Sequence, residues 1–463
     1  MGTELSAPPH VLQSRRQRLA AVLDQPLVVF AGHAPARNYA SNEHRFRAAS
    51  NYLYLGGFPL QNAALVIHPG SDGSAGCALF RPPPGADDPL WLGEQPSDDD
   101  IAQAMGISDD DIRNLDALEA AVAGADSEAI VPPFPNTIDH ARRLGCRRPD
   151  DRILSALIDM RLIKDEYEIA ALRDAARVGA DAHRAAMGAC RVGANERDVQ
   201  AALVAALEAS GCTPSFTPIV TVRGEVLHGA CAGRQLTDGA LMLVDAGAQL
   251  ESGYASDITR TFPVSGSWTT VQRSLYDTVL GAQRCAIDAC TPGTRYRDIH
   301  MIAAREISRG LADVGLLKGD PDELTQRGAY ALFFAHGVGH LLGLDVHDME
   351  DFGDLAGYAP DRTRPQRFGD KFLRLDRDLT PGMVVTIEPG IYLVPAIWRR
   401  DDLVGPHRDV VNLPFVKQLI AEHFGGIRIE EDVLVRPSED GGPEILNSTL
   451  PNDADAVTAL VGM

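Results

Sequence analysis

Leu241-Met242-Leu243-Val244-Asp245-Ala246-Gly247 and Tyr254-Ala255-Ser256-Asp257-Ile258-Thr259-Arg260-Thr261-Phe262 each carry a carboxylate on a run of apolar, β-branched or aromatic residues. Such runs read as strands that bury at least one face. Val384-Val385-Thr386-Ile387-Glu388-Pro389-Gly390 repeats the device. So does Ile427-Arg428-Ile429-Glu430-Glu431-Asp432-Val433-Leu434-Val435, where alternation puts Arg428, Glu430 and Asp432 on one face. A buried carboxylate without a partner is costly, so these acids demand cations or protons. One histidine from His336-Gly337-Val338-Gly339-His340 completes a set of four carboxylates and an imidazole, whose charge two divalent cations balance. Two such ions ~3.5–4 Å apart would share a water and lower its pKa, presenting hydroxide to a carbonyl at neutral pH. Gly337 and Gly339 disfavour a helix through the two histidines, so a turn is expected there.

Working outward, the chain has 463 residues, too many for one ordinary core at ~150 residues per domain. Its 45% hydrophobic and 23% charged residues exclude general disorder. The net charge of −21, with no basic patch interleaved with aromatics, argues against a nucleic-acid partner. No uninterrupted apolar stretch of ~18 residues suggests a membrane span. Seven cysteines without a Cys-x-x-Cys pair fit a reducing compartment, and a cytoplasmic protein is expected.

Apolar runs at 27–31, 63–67, 77–80 and 129–131 alternate with turn-rich or helical stretches, predicting a small α/β domain over 1–158. From Asp165 the pattern changes to Ile169, Leu172, Ala176, Ala180, His183 and Met187 at helical spacing, behind an acidic first turn. Further helices are expected at 196–210, 268–290 and 297–314, and strands at 217–222, 240–248, 254–264, 383–393 and 427–436. A mixed α+β domain over 159–463 follows. Residues 351–378, rich in Gly, Pro and charge, read as a long surface loop of the kind that often carries function.

The segments 243–247, 256–263, 336–340, 386–392 and 426–432 together resemble the pita-bread metallopeptidases, in the prolidase and aminopeptidase P branch. Phe46-Arg47-Ala48-Ala49-Ser50-Asn51-Tyr52-Leu53-Tyr54-Leu55-Gly56-Gly57-Phe58 resembles the signature of that branch's N-terminal domain. The resemblance implies that Asp245 chelates one metal, that Asp257 and Glu430 bridge both, and that His340 and Glu388 complete the second. It implies manganese in preference to zinc or cobalt, and the oxygen-rich donor set agrees. It further implies that His228, His336 and His347 contact the substrate and the tetrahedral intermediate. Gly229 departs from the family, which commonly has an aromatic residue after the first of these histidines. A homo-oligomer, dimer or tetramer, is also implied.

The expected chemistry is hydrolysis of an Xaa-Pro bond in proline-containing di- or oligopeptides. Glu388 would shuttle a proton to the departing nitrogen, with His336 or His347 stabilising the oxyanion. Arg374 and Arg428 resemble a clamp for the carboxylate of a dipeptide. With the long connection between Glu388 and Glu430, they favour a prolidase. The alternative is an aminopeptidase P acting on longer peptides. A non-catalytic pita-bread scaffold is the reading from another class.

Overall fold

A computed structural model describes residues 6–70, 76–123 and 125–463. The chain packs as two units, one comprising Met1–Arg161 with Glu251–Gly253, the other Leu162–Leu250 with Tyr254–Met463.

The first unit is built on a five-stranded sheet of β1 (Leu27–Phe30), β2 (Ala64–Ile67), β3 (Cys77–Arg81), β4 (Ile112–Asn114) and β5 (Glu128–Ile130), in the order β4-β3-β2-β1-β5. β1 and β2 are buried along their whole length, which is why their sequences run apolar without alternation. Val28, Phe30, Val66, Phe80, Leu118 and Val122 share one core. β4 has no counterpart in the apolar pattern. Ile-Arg-Asn at a partly exposed sheet edge has only one apolar residue to betray it. The segment 50–56 is a buried helix, and its Asn51 accepts a 2.6 Å hydrogen bond from Arg161.

The second unit opens with α1 (Glu166–Ala189), whose capping box joins Asp165 and Glu168, followed by α2 (Glu196–Ala209). β6 (Ile219–Thr221), β7 (Leu241–Ala246) and β8 (Ile258–Pro263) form an antiparallel sheet in the order β8-β7-β6. The β7–β8 hairpin keeps one register, from Asp245 opposite Thr259 through the Gln249–Ala255 bridge, so no bulge interrupts it. α3 (Thr270–Asp288) and α4 (Tyr296–Val314) pack together next in sequence.

The expected strands 383–393 and 427–436 each divide in two. β9 (Val384–Ile387) pairs with β12 (Glu431–Leu434), while β10 (Gly390–Tyr392) pairs with β11 (Gly426–Arg428). The register is common to both halves, which sets Glu388 opposite Glu430 in the gap. Pro389 supplies the physical reason, because it has no N–H to continue the ladder. Released there, Glu430 donates its N–H to Thr259 O at 3.1 Å and bridges to the β7–β8 hairpin. The alternation survives the gap: Arg428 and Glu430 line the cavity described below, whereas Glu431 turns the other way to Arg260.

Residues 351–378 are more folded than the expected loop. They include short helical turns at Asp354–Gly357 and Asp370–Phe372, and Tyr358, Leu373 and Leu375 are buried anchors. Three anchors without a period leave no signature in the sequence. Among the described residues no helix is long and apolar enough to cross a membrane.

Candidate active site

The strands deliver their acids to one place. Asp245 lies on β7 opposite Thr259, Asp257 immediately precedes β8, and Glu388 and Glu430 occupy the shared gap. Asp245 is 7% exposed, Asp257 4% and Glu430 2%. His340 reaches them from a segment laid along β9, where Thr386 N donates to His340 O at 2.9 Å and Glu388 N to Val338 O at 2.7 Å. That approach requires glycine at 339, since a Cβ there would sit 2.1 Å from Thr386 O.

His340 Nδ1 donates to the Leu341 carbonyl at 2.9 Å, which leaves Nε2 as the lone-pair nitrogen. That nitrogen lies 3.4 Å from Asp257 Oδ2 and 3.8 Å from Glu388 Oε1. Three overlapping trios have donor atoms within 4.8 Å of one another: Asp245-Asp257-Glu430, His340-Glu388-Glu430 and Asp257-His340-His347. Oδ1 of Asp245 and Oδ1 of Asp257 are buried without a hydrogen-bond donor. Orphaned carboxylate oxygens beside an oriented imidazole fit divalent cations on the chemistry of the donors alone. Electrostatics point the same way. Burial, reinforced by the neighbouring acids, holds Asp257 and Glu430 well above the usual carboxylate range, and burial pushes Glu388 up to about 7.

Around the acids stands a second layer. Arg428 donates through Nη2 to Asp245, through Nη1 to Tyr392 Oη at 2.9 Å and through Nε to Thr259 Oγ1 at 3.0 Å. Thr259 Oγ1 in turn donates to Glu430 Oε2 at 2.7 Å. Asp432 accepts the Asp257 N–H at 3.2 Å. His336 hydrogen-bonds through Nδ1 to Gly337 O at 2.7 Å and through Nε2 with Tyr392 Oη at 2.9 Å, and burial lowers its pKa to about 3. Its imidazole is therefore neutral, with both nitrogens engaged. His347 packs edge-on to His340 with ring centroids 4.2 Å apart, and its Nδ1 lies 3.5 Å from Glu350 Oε2.

A cavity of about 1010 Å³ opens onto this cluster. His228, His336, His347, Arg374 and Arg428 line it together with Asp245, Asp257, His340, Glu388 and Glu430. Phe216, Leu227, Phe368, Phe372 and Ile397 supply apolar wall. Every residue singled out from the sequence thus borders one space. The proposed clamp is different from its expectation, however. Arg374 Nη1 is held by Glu350 at 2.6 Å, and the buried guanidinium of Arg428 is committed to Asp245, Tyr392 and Thr259. Arg428 is thus engaged by the protein at all three of its nitrogens, while Arg374 is engaged through Nη1 alone. Sequence reasoning assigned no role to Tyr392, Thr259 or Glu350. Tyr392 stood in a quoted motif, but a tyrosine in a strand has core packing as its ordinary reading.

The description of metallopeptidase family M24 matches residues 170–437, more than half of the sequence. The chain belongs to metallopeptidase family M24. A second description, the aminopeptidase P N-terminal domain, matches residues 12–130. The M24 chain is 31% identical over 470 residues to the Xaa-Pro aminopeptidase of Escherichia coli K12, covering 97% of each. It resembles the solved structure of proline aminopeptidase P II from Yersinia pestis at 30% identity and TM-score 0.78, covering 98% of this chain and 99% of that one. E. coli aminopeptidase P with the inhibitor Pro-Leu matches at 29% identity and TM-score 0.79, with 98% of both chains covered. The α+β architecture of an aminopeptidase P-type N-terminal unit and a pita-bread unit is thereby established. These M24 relatives carry the name of the alternative reading, Xaa-Pro aminopeptidase. The prolidase expectation finds no support among them, and its main residue, Arg374, is the one the structure pairs with Glu350.

Proposed function

We propose that this chain is an Xaa-Pro aminopeptidase, releasing the N-terminal residue from peptides whose second residue is proline. The observation that carries the reading is the convergence of three buried carboxylates, the half-buried Glu388 and His340, two carboxylate oxygens orphaned, at a cavity of about 1010 Å³. Asp245, Asp257, His340, Glu388 and Glu430 would hold two divalent cations, manganese in preference to zinc or cobalt because the donors are mostly hard oxygens. When bound, such ions supply Lewis acidity and a more acidic water. Residues 1–158 would form the aminopeptidase P-type domain and 159–463 the catalytic one, in a cytoplasmic protein whose cysteines stay reduced.

The chain's own residues account for the remaining steps. The scissile nitrogen of an Xaa-Pro bond carries no hydrogen, so a site cannot grip it as a donor and must protonate it for departure. Glu388 borders the cavity beside the acids, and its carboxylate is assigned the transfer of a proton to the departing nitrogen. His347 and His228 border the cavity and can donate to the developing oxyanion. His336 serves differently from its expectation. Tied to Tyr392 and Gly337, it buttresses the wall next to Glu388, whose Oε2 lies 3.9 Å from its Nδ1. The substrate's α-ammonium fits beside the acids.

Incubating the metal-loaded protein with Ala-Pro, Ala-Pro-Ala and a longer Ala-Pro peptide tests the proposal. Release of alanine from the tripeptide and the longer peptide is expected. Cleavage of Ala-Pro alone would restore the dipeptidase, and no cleavage of any would overturn both.

A further inference from the structure

Outside the acid cluster lies another fully buried carboxylate, Glu196, at 0% exposure. It is the first residue of α2, and the helix cap fixes its backbone: Asn195 Oδ1 accepts from Arg197 N at 2.7 Å, and Asp198 accepts from Asn195 N at 2.8 Å. Both of its oxygens are saturated by one stretch of chain. Oε1 accepts from Thr221 Oγ1 at 3.1 Å, Val222 N at 3.0 Å and Arg234 Nη1 at 3.3 Å. Oε2 accepts from Ala232 N at 3.1 Å and Arg234 N at 3.0 Å. Burial opposes ionisation, yet these donors prevail and hold Glu196 below the usual carboxylate range.

Thr221–Val222 and Ala232–Arg234 are the two feet of a single loop. Between them Glu225, Leu227, His228, Gly229 and Ala230 line the cavity. His228 borders the same cavity as Asp245, Asp257, Glu388 and Glu430. Within the loop, Val226 N donates to Arg223 O at 2.9 Å and Gly229 N to Val226 O at 3.1 Å, two local turns that do not join one foot to the other. The backbone holds each foot separately, Thr221 opposite Leu243 on β7 and Arg234 O accepting from Glu196 N at 3.0 Å, and the Glu196 carboxylate joins the two.

We propose that Glu196 is a positioning residue for His228: one ionised carboxylate clasps both feet of the 222–234 loop and so sets the imidazole against the substrate. The proposal rests on the Xaa-Pro aminopeptidase reading for its substrate. A glutamine at 196 would keep the shape but turn an N–H₂ toward N–H donors, opening one foot.

A double-mutant cycle isolates the effect. Glu196→Gln, His228→Ala and the double variant are assayed on Ala-Pro-Ala, metal-loaded, with metal content measured alongside. Glu196→Gln is expected to lower kcat/KM ~10- to 100-fold at unchanged metal content, the scale of a catalytic group displaced by about 1 Å. In the His228→Ala background the same change should cost less than ~3-fold. Equal losses in both backgrounds, or no loss, would overturn the proposal. If Glu196→Gln does not fold, Arg234→Gln removes one of the five donors and should show a smaller loss that His228→Ala also erases; equal losses count against it in the same way. A readout free of activity comes from limited trypsin digestion well below the Tm of either protein, in which Glu196→Gln should hasten cleavage at Arg223. Unchanged cleavage contradicts the proposal. A wild-type enzyme inactive on every Xaa-Pro peptide would sink the functional reading alone, and digestion would still decide the role of Glu196.

Discussion

Arg428 on β11 and Asp245 on β7 form a buried ion pair that ties two separate sheets together at the candidate metal centre. The same guanidinium holds Tyr392 and Thr259, and Thr259 holds Glu430. One side chain thus orients an acid on β7 directly and Glu430, beside β12, through an intermediary. Groups that orient metal ligands are worth about 10- to 100-fold in affinity or activity when removed. Arg428→Lys keeps the charge but cannot span three partners from a single ammonium. It is expected to lower metal affinity or kcat/KM by about that factor, measured by calorimetric titration and steady-state kinetics, with the fold intact by circular dichroism.

Arg374 gives a sharper test of substrate class. Because Glu350 neutralises it, Arg374→Ala should change kcat/KM for Ala-Pro and Ala-Pro-Ala by similar factors. A drop of ~100-fold confined to the dipeptide would show that Arg374 leaves Glu350 to grip a carboxylate, as a prolidase requires.

Behind the acids, Arg260 and Glu431 are both buried and 2.8 Å apart, and Arg260 Nη1 also donates to Glu430 O at 2.9 Å. Removing Arg260 leaves the Glu431 charge buried with only the neutral donors Asn447 and Asn452, at a cost of about 3–5 kcal/mol. Arg260→Met should therefore destabilise the protein by that amount in urea unfolding, whereas Arg260→Met with Glu431→Leu should recover much of the loss. Equal destabilisation by the single and double variants would refute the pairing as the cause.

How much of this site is legible in the sequence depends on what each residue does. An acid in an apolar strand contradicts its surroundings, so Asp245, Asp257, Glu388 and Glu430 announce themselves. Thr259 and Tyr392 do not, because both are ordinary strand residues and only the fold brings them to Arg428. Glu196 reads as a routine first-turn acid of a helix; its partners at 221–222 and 232–234 become visible only in three dimensions. Arg428 stands out as a charge on a buried strand, but its three bonds to Asp245, Tyr392 and Thr259 become visible only in the fold. The division of the long strands at Pro389 is a case where a visible residue had a consequence, the facing of Glu388 and Glu430, that depends on pairing register.

The pH dependence of stability follows from the crowded carboxyls. In the metal-free protein Glu388 titrates near 7, and Asp257 and Glu430 also lie above their ordinary range. With folded pKa values above unfolded ones, the folded state retains more protons, so stability is full below about pH 4.5 and is lost as pH rises toward 7. His183 and His300, lowered to about 4 by burial, act oppositely: their contribution is lost as pH falls below about 6.5. Comparing metal-loaded with metal-free protein at each pH removes that second effect. The gap in Tm should widen from pH 5 to 7.5. A gap that narrows over this range would show that the carboxyls are not the cations' site.

The most direct measurement is equilibrium dialysis of chelator-stripped protein against Mn²⁺, with bound metal counted per chain and alanine release from Ala-Pro-Ala followed in parallel. Two ions per chain should bind, with activity returning as the sites fill, and Asp257→Asn and Glu430→Gln should each lower the count and abolish the recovery. Full activity in the stripped protein, or undiminished metal binding in both variants, would contradict the account.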